Sequence, residues 1–367
     1  MSGAAQDAEP RVAMSFYLEQ VAGEGEDAEP LVLVGYERSL LGVFDGLGGA
    51  GGTVYETPGG RHAGAWFASR LARDVVAGHM PEVVGAGPQI DGEQTARQLA
   101  ERLRKALVER LAEFDAPRSS LRSKLLKALP STMAVAYLVR GETGGYACHC
   151  FWAGDSRLYV IDPVAGAQQL TSDDLRSDND AMANLLDDSV MDNCLSADTE
   201  FVVHHRRVDL QPPFIALAAS DGCFGYVASP MHFEHLVLSG LDGAASPDGW
   251  REALRSSVQA VAGDDATLAL LAVGGDLAEL KGTYRTRLDT LRTTYIEPME
   301  EAERQTRSAQ EQADELEQRR GALRAELWSK YKPDYERHLS ADAPTPAPGS
   351  EPPADAEAPS DEEPKTP

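Results

Sequence analysis

Basic residues are scarce in this chain, and the shortage removes several function classes at once. Thirty-four lysines and arginines stand against 59 aspartates and glutamates in 367 residues, a formal charge of −25. Such a surface repels phosphate backbones and anionic lipid, which excludes sequence-independent nucleic-acid binding and attachment to acidic membranes. Cysteine is sparse too: Cys148, Cys150, Cys194 and Cys223 form no CxxC pair and no disulfide framework. Cys148 and Cys150 flank His149 in the strand-like run YACHCFWAG, where alternate residues share a face. With no second ligand cluster at suitable spacing, they read as buried strand cysteines and not as zinc ligands. The opening MSGAAQDAEP lacks the basic start and apolar stretch of a signal peptide. No apolar run is long enough to cross a bilayer. Together these absences predict a cytoplasmic protein without a membrane span.

What is present falls into three zones. Hydrophobic residues make up 42 % of the chain, enough for a sizeable core despite the charge. From 11 to 273, short strand-like runs alternate with longer helical patterns. LVLVGY (31–36), SLLGVFD (39–45), TMAVAYLV (132–139), YACHCFWAG (146–154), RLYVID (157–162), FIALAASD (214–221) and ATLALLAV (266–273) read as strands. Gly64–Gly78 and Glu93–Phe114 carry helical spacing, with Leu99, Leu103, Leu107 and Leu111 every fourth position. Strands outnumber helices, which suits an α+β layered sandwich better than a doubly wound sheet. From 275 to 338, Leu277, Leu280, Tyr284, Leu288, Leu291 and Tyr295 step by three and four in a charged background. Pro298 interrupts, so this zone reads as a helical hairpin or short coiled coil, open to partner binding or self-association. The last zone, 340–367, is rich in proline, alanine and acids and predicts a disordered tail.

Acidic residues stand at strand ends in four distinctive settings. GVFDGLGG puts Asp45 after an apolar strand and before Gly46, Gly48 and Gly49. WAGDSR sets Asp155 between two strands, LAASDGCFGYV ends a strand at Asp221, and AGDDATLALLAV leads into the final strand through Asp264 and Asp265. One Asp-Gly after a strand is an ordinary turn. If all four ends converge, they form an all-oxygen cage suited to magnesium or manganese.

In this order the motifs resemble those of the type 2C (PPM) metal-dependent serine/threonine protein phosphatases. DGLGG is similar to the family's DGxGG, and PSTMAVAYL (130–138) to the strand motif that follows it. WAGDSRLYVI matches GDSR, QLTSDD (169–174) the T-x-D-H segment, ASDGCFGYV the SDG motif, and GDDATLALL the DN-x-T motif. The resemblance implies a four-layer α/β/β/α sandwich of two antiparallel sheets flanked by helices, with the helical arm outside it. It implies Asp45 as the carboxylate bridging two Mn2+ or Mg2+ ions, and the Gly46 carbonyl as a further ligand. Asp221 and Asp264 match the acids that hold the first ion, and Asp155 one that binds a looser third. The remaining family acid falls on Asp27, beside Glu26. The implied activity is hydrolysis of phosphoserine and phosphothreonine by metal-activated water, on protein substrates of a bacterial Ser/Thr kinase in a signalling role. No nucleophilic cysteine is implied, since no Cys-x5-Arg loop surrounds Cys223.

The departures matter as much. Gly23 stands about where the family places a phosphate-gripping arginine, leaving Arg11, Arg38 and Arg61 as stand-ins. Asp174 replaces the T-x-D-H histidine, Asp265 the asparagine beside Asp264, and Leu47 fills the variable place in DGxGG. Residues 176–194 occupy the flap region without its usual glycine pattern. His204 and His205 are neighbours in a strand, face opposite sides, and read as ordinary sheet histidines. The missing arginine opens an alternative: a weak or inactive phosphatase-like module that binds and signals.

Overall fold

The computed structural model describes residues 11–57, 60–85, 90–114, 127–176, 180–185 and 190–339. The 340–367 tail lies outside the described residues, as do 177–179 and 186–189 of the flap region.

Two antiparallel five-stranded sheets form the centre. The first runs in the order β1 (Arg11–Leu18), β12 (Ala266–Val273), β11 (Phe214–Ala219), β8 (Arg157–Asp162) and β9 (Gly166–Gln169). The second runs β10 (His204–Leu210), β7 (Tyr146–Ala153), β6 (Met133–Arg140), β3 (Arg38–Val43) and β2 (Leu31–Val34). A small hairpin, β4 (Val54–Thr57) with β5 (Gly60–Ala63), stands apart.

Alternation along each strand divides the core into layers. On β12, Leu268 and Leu270 face the helices while Ala269 and Leu271 face the other sheet. All eight β12 residues are buried, which explains its unbroken apolar sequence: both faces are covered. On β6, Val135 and Tyr137 face outward to helices and Ala134, Ala136 and Leu138 inward. Cys148 and Cys150 lie on the inter-sheet face of β7, both buried and unoxidised.

Helices cover the two outer faces. Over the second sheet lie α2 (Gly64–Gly85) and α3 (Gly92–Glu113). The α3 start is capped by Asp91, which accepts the Gln94 N–H, and Leu99, Leu103 and Leu107 are buried. Over the first sheet lie α5 (Pro230–Gly243), α6 (Pro247–Gln259) and α7 (Leu277–Leu291). Two short helices, α1 (Gly48–Gly51) and α4 (Asp221–Phe224), follow the DGLGG and SDG motifs. This is the four-layer α/β/β/α sandwich expected from sequence.

The zone after 275 differs from the expected hairpin. A capping box of Asp276 and Glu279 starts α7, and its Leu280, Tyr284, Leu288 and Leu291 are buried. Tyr284 donates to the Ile161 carbonyl at 2.8 Å, and Arg287 grips the Glu234 carboxylate through two bonds of 2.7 and 2.8 Å. No turn follows among the described residues: five π-helical residues (292–296) lead directly into α8 (Glu297–Tyr335). Pro298 directly follows the π-helical turn, and the helix continues through it instead of stopping. The chain divides into compact units at 1–299 and 300–367, so α7 belongs with the sheets. In the second unit, every residue from 300 to 335 is exposed.

Candidate metal centre

Strand register gathers the acids. Leu18 opposes Ala266, Ala219 opposes both Leu268 and Arg157, Val43 opposes Ala134, and Met133 opposes Ala153. These residues mark one end of the two sheets. Asp45 lies just past β3, Asp155 between β7 and β8, Asp221 just past β11, and Asp264 just before β12. Four sequence-distant acids therefore meet at one rim because antiparallel pairing alternates strand ends and strand starts there.

Asp27 reaches the same rim from the loop before β2 and is nearly fully buried. Its Oδ2 accepts the Thr267 hydroxyl at 2.7 Å and the Ser220 hydroxyl at 3.0 Å. Ser220 is itself fixed by the Thr267 N–H, at 2.9 Å. Asp45 lies beside both Asp27 and Asp221, close enough for their charges to act on it. Thr132 N–H and the Ser131 hydroxyl hold the Asp45 carbonyl, at 2.9 and 2.7 Å.

Electrostatics follow from this crowding. Burial first, then repulsion from Asp27, Asp221 and Asp155, pushes the Asp45 carboxyl well above the usual carboxylate range. Burial, with the Asp221 charge, lifts Asp155 in the same way. Burial pushes Asp27 up to about 7, and burial with Asp265 and Asp264 pushes Glu26 up to about 7. Asp221 and Asp264 are also raised, each chiefly by burial. Buried carboxylates held together are stable only when protonated or when paired with positive charge.

Two residues beyond the expected set shape the rim. Asp265 accepts the Gln20 N–H at 2.8 Å and the Glu26 N–H at 2.5 Å, pinning the loop that carries Asp27 to the start of β12. Glu26 lies over Gly48, where a Cβ would collide with its carboxylate. A Cβ at Gly46 would meet the Glu26 carbonyl at 2.5 Å. Gly46 is thus required by the close approach of the 25–27 backbone.

The three stand-in arginines are placed elsewhere. Arg11 and Arg38 begin β1 and β3, at the strand ends away from the acids. Arg11 bonds the Tyr36 carbonyl and the Tyr146 hydroxyl, both at 2.6 Å. Arg61 makes a solvent-exposed pair with Glu56 on the small hairpin. Arg157 reaches Asp155 and Asp221 with its charge but is ion-paired to Asp173, whereas Arg70 on α2, which nothing local in the sequence marks, lies beside the 25–27 loop. It donates to the Glu26 and Gly25 carbonyls at 3.2 and 3.3 Å, stacks 4.1 Å over Trp66, and its charge reaches the Glu26 carboxylate. Arg70, Trp66, Tyr17, Glu19 and Arg73 line a cleft of about 570 Å³.

Asp174 has a clear local role. Its Oδ2 accepts the Gly154 N–H at 2.9 Å, next to Asp155, and its Oδ1 pairs with His204 at 3.0 Å. Asn193 from the flap region binds the same carboxylate at 2.6 Å. His205 turns to the other side and stacks on His149, so the two histidines do not share a ligand.

The donor set suits a hard divalent cation. All candidates are oxygen donors, and Asp155 Oδ1 is buried without a hydrogen-bond partner. Among the described residues, no three acidic, histidine or cysteine side chains are placed to hold one ion as they stand.

No family model matches the chain, and no curated protein matches it. Solved structures do. The Mycobacterium tuberculosis serine/threonine phosphatase PstP/Ppp is 17 % identical, with a TM-score of 0.50, covering 72 % of this chain and 99 % of its own. A C. elegans sex-determining protein is 16 % identical, with a TM-score of 0.53, covering 76 % of this chain and 67 % of its own. The chain thus has the fold of type 2C serine/threonine phosphatases.

Proposed function

We propose that the protein hydrolyses phosphoserine and phosphothreonine on proteins, using two Mn2+ or Mg2+ ions and a looser third. The observation that carries the reading is the convergence of Asp27, Asp45, Asp155, Asp221 and Asp264 at one rim of the two sheets, with Asp27 and Asp45 buried there. Asp27, Asp45, the Gly46 carbonyl, Asp155, Asp221 and Asp264 would hold the ions. Bound ions supply a hydroxide at neutral pH and offset charge on the phosphoryl oxygens.

The chain's own residues do the rest. Asp45, flanked by Asp27 and Asp221, would serve two ions at once. Thr267 and Ser220 orient Asp27 through its Oδ2, leaving the other oxygen for a ligand. Arg70 supplies the cation beside the acids that Gly23 does not, and its fork suits a phosphate. The 570 Å³ cleft along Trp66 and Arg73 would take the polypeptide that carries the phosphate.

The test is hydrolysis of para-nitrophenyl phosphate and a phosphothreonine peptide with Mn2+, Mg2+ or EDTA. Metal-dependent turnover, lost in EDTA and in Asp45→Ala, supports the assignment. The alternative, a binding module without turnover, is favoured by Gly23 at the arginine position. It predicts no hydrolysis with any metal and retained binding of the phosphopeptide by folded Asp45→Ala.

A further inference from the structure

The helix α8 carries an uncovered seam. Leu316, Leu323, Leu327, Tyr331 and Tyr335 are all exposed, and Trp328 flanks them in contact distance of Tyr335. Arg320, Leu323, Arg324, Leu327, Trp328 and Tyr331 line a shallow groove of about 440 Å³ along it. The same seam continues toward the N-terminal half at three- and four-residue steps, but through small residues: Ala313, Ala309, Thr306 and Ala302.

Charge is divided along the helix in the same way. Glu300 to Glu317 holds seven acids and two arginines, and Gln318 to Tyr335 holds five basic residues and two acids. One half is acidic with small seam residues; the other is basic with large ones. We propose that this helix pairs with the same helix of a second copy of the chain, antiparallel, with the two-fold axis near residue 318. That register sets Ala302 against Tyr335, Thr306 against Tyr331, Ala309 against Leu327 and Ala313 against Leu323. Each large side chain then meets a small one, and each acidic half meets a basic half. A parallel pair would stack Tyr on Tyr, Ala on Ala, and acidic half on acidic half. The inference is independent of the phosphatase reading, since none of these residues belongs to the metal centre.

Sedimentation equilibrium of the full chain tests the pairing. A dimer is expected at micromolar concentration, and a monomer at concentrations as high as roughly 100 μM would overturn the proposal. The triple variant Arg319→Glu, Arg320→Glu, Arg324→Glu should be monomeric. So should Glu311→Lys, Glu315→Lys, Glu317→Lys. Mixed together, the two should recover the dimer, because each acidic half again faces a basic one. Failure of the mixture to associate, with both variants helical by circular dichroism, would sink the antiparallel register. Mild oxidation of an Ala302→Cys, Tyr335→Cys chain should give cross-linked dimers, while Ala302→Cys alone should not; efficient cross-linking of the single variant would show a parallel pair instead. The four native cysteines are buried and do not compete.

Discussion

Asp27 is held by two hydroxyls on one oxygen, and the loss of either donor changes how it presents the other. Thr267→Val keeps the shape of the side chain and removes the 2.7 Å bond. Mn2+ affinity of this variant should fall about 10- to 100-fold, with Thr267→Ser restoring it; titration calorimetry of the folded variants reads the difference. The raised carboxyls also fix a pH response in metal-free protein. Asp27 and Glu26, both pushed up to about 7, keep protons in the fold that the unfolded chain has already released near pH 4. Stability should therefore fall as pH rises from about 4 to 7, because the native state binds more protons across that window. Melting in EDTA at pH 5 and pH 7.5 should show the drop, and Mn2+ should remove most of it. A Glu26→Gln, Asp27→Asn chain that keeps the same drop would contradict this. The strand-end acids were legible because each follows or precedes an apolar run with glycine nearby. Arg70 was not, and Glu26 and Asp265 stood out only as neighbours of Asp27 and Asp264, because their roles come from contacts made across the fold.

Among the elements, β8 carries the most consequential charge. Arg157 and Asp173 are each about 3 % exposed and pair through two bonds of 2.9 and 2.6 Å, with Arg157 also 4.3 Å over Phe224. Removing one partner leaves a buried charge alone, so Asp173→Ala should cost about 3–5 kcal/mol in urea unfolding. The pair ties the β9 side of the first sheet to α4, next to Asp221. The long strands were readable from their apolar runs, and α3 from its leucine period. The strand β1 was missed although Val12, Met14 and Phe16 alternate toward the covering helices, because intervening Ser15 and Tyr17 dilute the run. Pro298 works in the opposite way: its place in the sequence suggests a break, but the π-helical turn just before it lets the helix run on.

At the scale of the molecule, the boundary lies about 25 residues beyond the last strand. A chain ending at Met299 should keep the melting temperature and metal dependence of the full-length protein. One ending at Gly274 would strip Leu280, Tyr284 and Leu288 from the core of the first sheet. At about 1.5–3 kcal/mol for each large side chain, that loss is comparable with the whole stability of a domain. Comparison of the two truncations by thermal melting separates the structural role of α7 from anything α8 does. The Glu26 carboxylate occupies the space a side chain at Gly48 would need. A side chain at 48 is admitted only where the glutamate at 26 swings aside or is shortened. In other lineages carrying this loop, a bulkier residue at 48 should be accompanied by a shortened one at 26, so the two should be inherited as a pair.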